Sequence, residues 1–325
     1  MEVRKRDITI DWIKFIAVFL IINSHADIMY PHLKILATGG AIGDCFFLFS
    51  SGFTLFSGKQ ADFGSYYKRR ISRIYPSVFE AVLFVHIIRA RYQVSLFEFI
   101  GKPFIQAIMI YYIVLFFIRK YAIKKIKPIL VFVGIVSLVF YIFWFPYKYE
   151  TSSKGLYGIA TYYRWIPYFG AMLIGAYMGK NKESFNYNIR VDGLLLMACL
   201  ILFYSIQYVA KIYRPIAPLQ IVTLIPLMGI VVYMYKCCNN SLFKRIYQHK
   251  NGNFIVMSVG GLCLESYLIQ GCLFTTKMNS IWPLNLFIIT VVILISAYFV
   301  RCCARTFLQT FQTECYNWKK VFSFM

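Results

Sequence analysis

The sequence predicts an all-α, polytopic integral membrane protein with about ten transmembrane helices and both termini in the cytoplasm. Three observations predict it. Hydrophobic residues make up 59% of the chain and charged residues only 15%, with a mean hydropathy of +0.61, a composition too apolar for a water-facing globule. Apolar runs long enough to cross about 30 Å of hydrocarbon recur from end to end with short loops between them. A single transmembrane domain over residues 1–325, without a fused soluble domain, is therefore expected. Finally, the main basic clusters, at residues 4–6, 68–73, 119–127 and 236–250, all fall on the inside when the N-terminus is placed there, as the positive-inside rule requires. The net charge of +22 is thus explained by topology. No basic face interleaved with stacking aromatics occurs, which argues against nucleic-acid binding.

Taken in order, the spans centre near residues 19, 47, 83, 110, 137, 170, 200, 226, 264 and 293. The first, residues 10–28, carries Asp11, Lys14 and His25. A helix turns about 100° per residue, so Lys14 and His25 lie only about 20° apart in azimuth and roughly 16 Å apart along the axis. One stripe then holds a cation at one membrane depth and an imidazole at another. Intramembrane ionisable groups are costly and mark cavities or substrate paths, so a functional reading is the default. Three plainer readings compete: an Asp11–Lys14 pair at i, i+3 with Lys14 snorkelling to the headgroups, an interfacial His25, and a secretory signal peptide beginning at the basic "MEVRKR".

The second span, residues 43–58, carries Asp44 at one end and the small cluster Ser50, Ser51, Gly52. Small residues let helices approach closely. If this span runs antiparallel to the first, Asp44 and His25 share the outer leaflet, where a carboxylate would fix the imidazole tautomer. Residues 66–76 then bring Lys68, Arg69, Arg70 and Arg73. Guanidinium forks bind phosphates bidentately, while the same charges also serve as topology anchors or contacts for anionic lipid. Further on, Gly175 and Gly179 make a G-x-x-x-G match that reads as helix packing. The nine cysteines, with neighbouring pairs at 237–238 and 302–303, read as reduced structural thiols. His32 and His249 fall in expected loops and His86 stands alone in the third span, so no metal site is supported.

In that order, D-x-x-K-x-x-A with Lys14-x10-His25, FF-x-x-S-S-G-F and Arg70-x-x-Arg73-Ile-Tyr-Pro resemble the membrane-bound acyltransferase 3 family. "RWIPYFGAMLIG" from Arg164 and "GLCLESYLIQ", residues 261–270, resemble that family's sixth and ninth spans, except that Gln270 stands where the family has histidine. The resemblance implies an O-acetyltransferase of the bacterial inner membrane. It would move an acetyl or other short acyl group from cytoplasmic acyl-coenzyme A, typically acetyl-CoA, to a hydroxyl of an extracytoplasmic or lipid-linked glycan of the cell envelope. On that reading His25 is the general base or acyl acceptor, with Asp44 as its partner and Glu265 as the other candidate carboxylate. Lys14, Arg69, Arg70 and Arg73 receive the donor, and Arg164 and Asp11 the acceptor. The expected partners are the saccharide acceptor and membrane lipids, with no metal. The rival reading is a transporter or flippase using the His, Asp and Glu groups as a proton relay; a purely structural subunit would leave the polar stripe without a task.

Overall fold

A computed structural model describes residues 7–57, 61–91, 93–144, 155–158 and 162–323. Among them there are helices and no strand. In chain order these are α1 (Ile8–His25), α2 (Gly40–Phe56), α3 (Phe63–Ile88), α4 (Pro103–Tyr121), α5 (Ile126–Phe143), the short α6 (Gly155–Gly158) and α7 (Trp165–Lys180). They continue with α8 (Ile189–Ile212), α9 (Leu224–Cys238), α10 (Ser241–Gln248), α11 (Lys250–Gly261), α12 (Cys263–Leu273), α13 (Leu284–Thr310) and the short α14 (Trp318–Val321).

Eight helices of the described residues are long and apolar enough to cross a membrane, and a ninth span results if α11 and α12, bent by 66° at the residue between them, count as one. The protein is therefore all-α and polytopic. Each expected span centre falls on or beside a helix, but the one at residue 170 is α7, which has only 16 residues. At 1.5 Å per residue that is about 24 Å, shorter than the hydrocarbon core. Twelve of its residues are buried, so its polarity pattern reflects burial in protein rather than contact with lipid.

The chain forms two compact units, each assembled from separated segments. The first comprises Met1–Ile13, Asp44–Lys59 and Val114–Gln248. In it α2 and α7 lie backbone to backbone: a Cβ on Gly52 would sit 2.0 Å from the Met172 carbonyl oxygen, and one on Gly175 2.1 Å from that of Phe49. The small residues at 50–52 and the glycines at 175 and 179 are thus a packing seam. Phe49 and Phe53 flank the ring of Tyr235 beside it, with centroids at 5.5 and 5.3 Å. Arg119 donates to the Leu55 carbonyl, placing a cation at the negative end of α2. Lys236 pairs with buried Asp192, joining α9 to the first turn of α8. Because the Gly175 contact is to backbone, Gly175→Ala is expected to destabilise by about 1–3 kcal/mol. A thermal midpoint in detergent equal to that of the native chain would contradict the seam.

The second unit comprises Lys14–Gly43, Gln60–Ile113 and His249–Met325. Asp62 caps α3 by accepting from the Ser65 amide at 2.7 Å, which holds its carboxyl below the usual carboxylate range. Helix α3 packs against both α12 and α13, with Phe79 stacked between Phe99 and Phe307. The break between α11 and α12 is stapled by Arg301 of α13, which donates to the Gly261 carbonyl and pairs with Glu265 at 2.8 Å. A cation thereby meets the C-terminal end of one half-helix, and an anion occupies the first turn of the next. The far end of α12 is closed similarly, as Arg89 donates to the Gly271 carbonyl at 2.7 Å and Lys102 to that of Leu268 at 3.2 Å. His86 is not isolated as expected: it is buried, with Nε2 2.9 Å from Glu98 Oε2 and Nδ1 3.3 Å from the Arg91 carbonyl oxygen.

Candidate active site

Helix α1 buries Ala17, Val18, Ile21 and Ile22, leaving Lys14 half-buried and His25 exposed. Eleven residues apart on one continuous helix, they keep the common azimuth expected of them. His25 is the last residue of the helix, and the chain beyond it is tied down on two sides. On one side, Asn23 Nδ2 donates to the carbonyls of Leu36 and Thr38 at 2.7 and 3.0 Å, and the Tyr30 hydroxyl donates to Asn23 Oδ1 at 2.5 Å. Gly39 follows at φ +99° with Leu20 against it, a backbone position suited to glycine. On the other side, Asn279 Nδ2 donates to the Ile28 carbonyl at 2.9 Å and Asn285 Nδ2 to that of Met29 at 2.8 Å. Sequence reasoning missed all four of these residues. The available signal was an asparagine amide at 23 and at 285 inside otherwise apolar spans.

The basic segment forms the first turns of α3. Lys68, Arg69 and Arg73 are exposed, whereas Arg70 is half-buried. Its guanidinium lies over the rings of Tyr66 and Tyr112, at 5.4 and 5.5 Å from their centroids. The Tyr66 hydroxyl is itself fixed by donating to the Tyr112 carbonyl at 3.1 Å. Arg70 Nε is buried with no hydrogen-bond acceptor among the described residues. A planar cation held by aromatic faces, rather than by a carboxylate, keeps its fork for an anionic ligand.

Glu265 is 4% exposed. Its Oε1 accepts from the Ser77 hydroxyl at 2.9 Å and from Arg301 Nε at 3.3 Å, and its Oε2 from Arg301 at 2.8 Å. Both oxygens are therefore engaged in the staple of the broken span. Gln270, one turn beyond, is buried with Oε1 unbonded among the described residues.

The remaining expected residues belong to the first unit, so Asp44 and His25 lie in different units. Asp11 is buried and accepts from the Tyr247 hydroxyl at 2.7 Å. Next to it Trp12 Nε1 donates to the Phe243 carbonyl at 3.2 Å, so this end of α1 is anchored to α10. Asp44, half-buried early in α2, is close enough to Arg164 for direct electrostatic attraction. Arg164 donates to the Tyr157 carbonyl at 2.9 Å and lies over the Tyr168 ring at 5.9 Å. The hydroxyl of Tyr168 is buried and has no partner among the described residues. A carboxylate, a guanidinium and a phenol gathered in this way suit neutral hydroxyl groups. No group of three or more His, Cys, Asp or Glu among the described residues is arranged to hold a metal ion, and none of the nine cysteines is in a disulfide.

The family model of the acyltransferase 3 type, described as an acyltransferase domain, matches residues 7–304. No curated protein and no solved structure matches the chain. The matched region runs from the first turn of α1 well into α13, and so includes Lys14, His25 and the basic start of α3. This chain belongs to the acyltransferase 3 family of membrane acyltransferases.

Proposed function

We propose that the protein transfers an acetyl or other short acyl group from cytoplasmic acyl-coenzyme A to a hydroxyl of an extracytoplasmic or lipid-linked glycan, in a bacterial inner membrane with both termini inside. The observation that carries this reading is the Lys14–His25 stripe on α1, a helix that buries Ala17, Val18, Ile21 and Ile22 in apolar contacts. The donor's nucleotide end bears several phosphates and cannot enter hydrocarbon. It is received by Arg70 with Arg69 and Arg73, while the uncharged arm passes inward beside Lys14. His25 takes the proton of the acceptor hydroxyl, whose oxygen attacks the thioester carbonyl. The carbon–sulfur bond breaks, and the departing thiolate recovers the proton from the imidazolium, leaving an ester and free coenzyme A. If instead the imidazole accepts the acyl group first, the same residue is required.

Mass spectrometry of surface glycans from cells with and without the chain tests this. An added acyl mass on one saccharide, present only with the chain, supports it; identical glycans refute it. The bend between α11 and α12 is one feature shared with carriers, whose broken helices line binding sites. A carrier would need a gradient and no thioester, so acyl-donor dependence separates the two.

Replacing Arg70 and Arg73 together is expected to raise the donor KM about 10–100-fold at low salt, on the scale of one charge-assisted contact of about 1.5–3 kcal/mol. The native chain should lose affinity with added salt more steeply than the variant. Unchanged donor affinity in correctly inserted molecules would make these arginines topology anchors only.

A further inference from the structure

We propose that Asn285, together with Asn279, is a positioning residue for His25, a role that rests on the acyl-transfer reading above. Helix α1 stops at the imidazole itself, so the ring belongs to a terminal turn whose last carbonyls have no intrahelical partner. The chain leaves it through a 3-10 turn, Asp27–Met29. Left alone, such an end frays, and a misplacement of about 1 Å at a reacting group is enough to cost about 100-fold in rate.

The second unit prevents this with two amides. Asn285, fully buried in the first turn of α13, donates Nδ2 to the Met29 carbonyl at 2.8 Å and stands 3.3 Å from Asn279 Oδ1. Asn279 in turn donates to the Ile28 carbonyl at 2.9 Å. Two consecutive carbonyls, three and four residues beyond His25, are thus pinned to α13 and to the turn before it. An apolar residue at 285 would fill the same space but fix no register. A separate tie runs through Asn23, two residues before His25 in the last turn of α1, to the Leu36 and Thr38 carbonyls, so directional bonds are made both before and after the imidazole along the chain. Unlike Glu265, the two asparagine side chains have no ionic partner among the described residues, and their hydrogen bonds there go to the backbone next to His25 and to each other.

The test uses the full-length purified chain in lipid nanodiscs, as native protein, Asn285→Ala and Asn279→Ala. Asn279 is only half-buried, so its truncation opens no core cavity and yields a folded variant even where Asn285→Ala does not. Two quantities are read: acetyl-CoA turnover, and the rate at which diethyl pyrocarbonate modifies His25, located by peptide mass spectrometry with exposed His249 as the internal control. The expected result is a fall in kcat of about 10–100-fold with the donor KM unchanged within twofold, and a His25 modification rate changed at least threefold while that of His249 is not. Unchanged kcat and unchanged His25 reactivity in a folded variant overturn the proposal, as does a raised KM at constant kcat. If the native chain shows no thioester-dependent turnover, the acyl-transfer reading has failed. The His25 modification rates then decide by themselves whether the amides position the ring.

Discussion

Replacing His25 by alanine is expected to reduce acyl transfer by about 10²–10⁴-fold, the range contributed by a positioned general base, and further if the imidazole carries the acyl group. Protein yield and membrane insertion should stay at native levels. The reason is the position of the side chain: His25 is exposed at the end of α1, so truncation leaves no buried cavity. The comparison to make is donor-dependent turnover of equal amounts of purified native and variant protein with matched thermal midpoints. Turnover within a few-fold of native would remove His25 from the chemistry.

The second large effect concerns stability. Arg301→Met should destabilise the second unit by about 3–5 kcal/mol, the usual consequence of leaving a buried charge without its partner. Glu265 would keep the Ser77 hydroxyl, and the Gly261 carbonyl would lose its donor. Adding Glu265→Gln removes the stranded charge, so the double variant should recover part of the loss, with a coupling of about 1–3 kcal/mol. Thermal unfolding in detergent, followed for the native chain, both single variants and the double variant, closes the cycle. Purely additive losses would show that the ion pair does not staple the broken span.

What could be read in the sequence follows from how far apart the interacting residues are. The Lys14–His25 stripe depends only on helical pitch, and the α2–α7 seam announces itself through clustered small residues at 50–52 and 175–179. Both are local patterns. Partnerships across long separations carry no such mark. Asp11 beside Lys14 suggests a helix-end pair or an acceptor contact, while the bond it accepts from the Tyr247 hydroxyl, 236 residues away, leaves no local mark. Glu265 stood as a candidate carboxylate for His25, whereas the fold gives both its oxygens to Arg301 and Ser77. The four arginine and lysine side chains at 68–73 looked equivalent in sequence, and only packing on Tyr66 and Tyr112 distinguishes Arg70. Hydropathy treats an asparagine in a span as a tolerated polar residue, so the amides that hold the end of α1 were invisible until their acceptors were known. The span at residue 170 was legible as apolar, yet its 16-residue length and all-round burial come from tertiary packing.

One measurement bears most directly on the central claim. Membranes containing the native chain, the His25→Ala chain or neither are supplied with isotope-labelled acetyl-CoA, and the saccharide fraction is analysed for base-labile acetyl esters. The account predicts that labelled ester forms with the native chain and stays at background in the other two. Labelled ester formed equally with the His25→Ala chain, or in membranes that lack the protein, would contradict it.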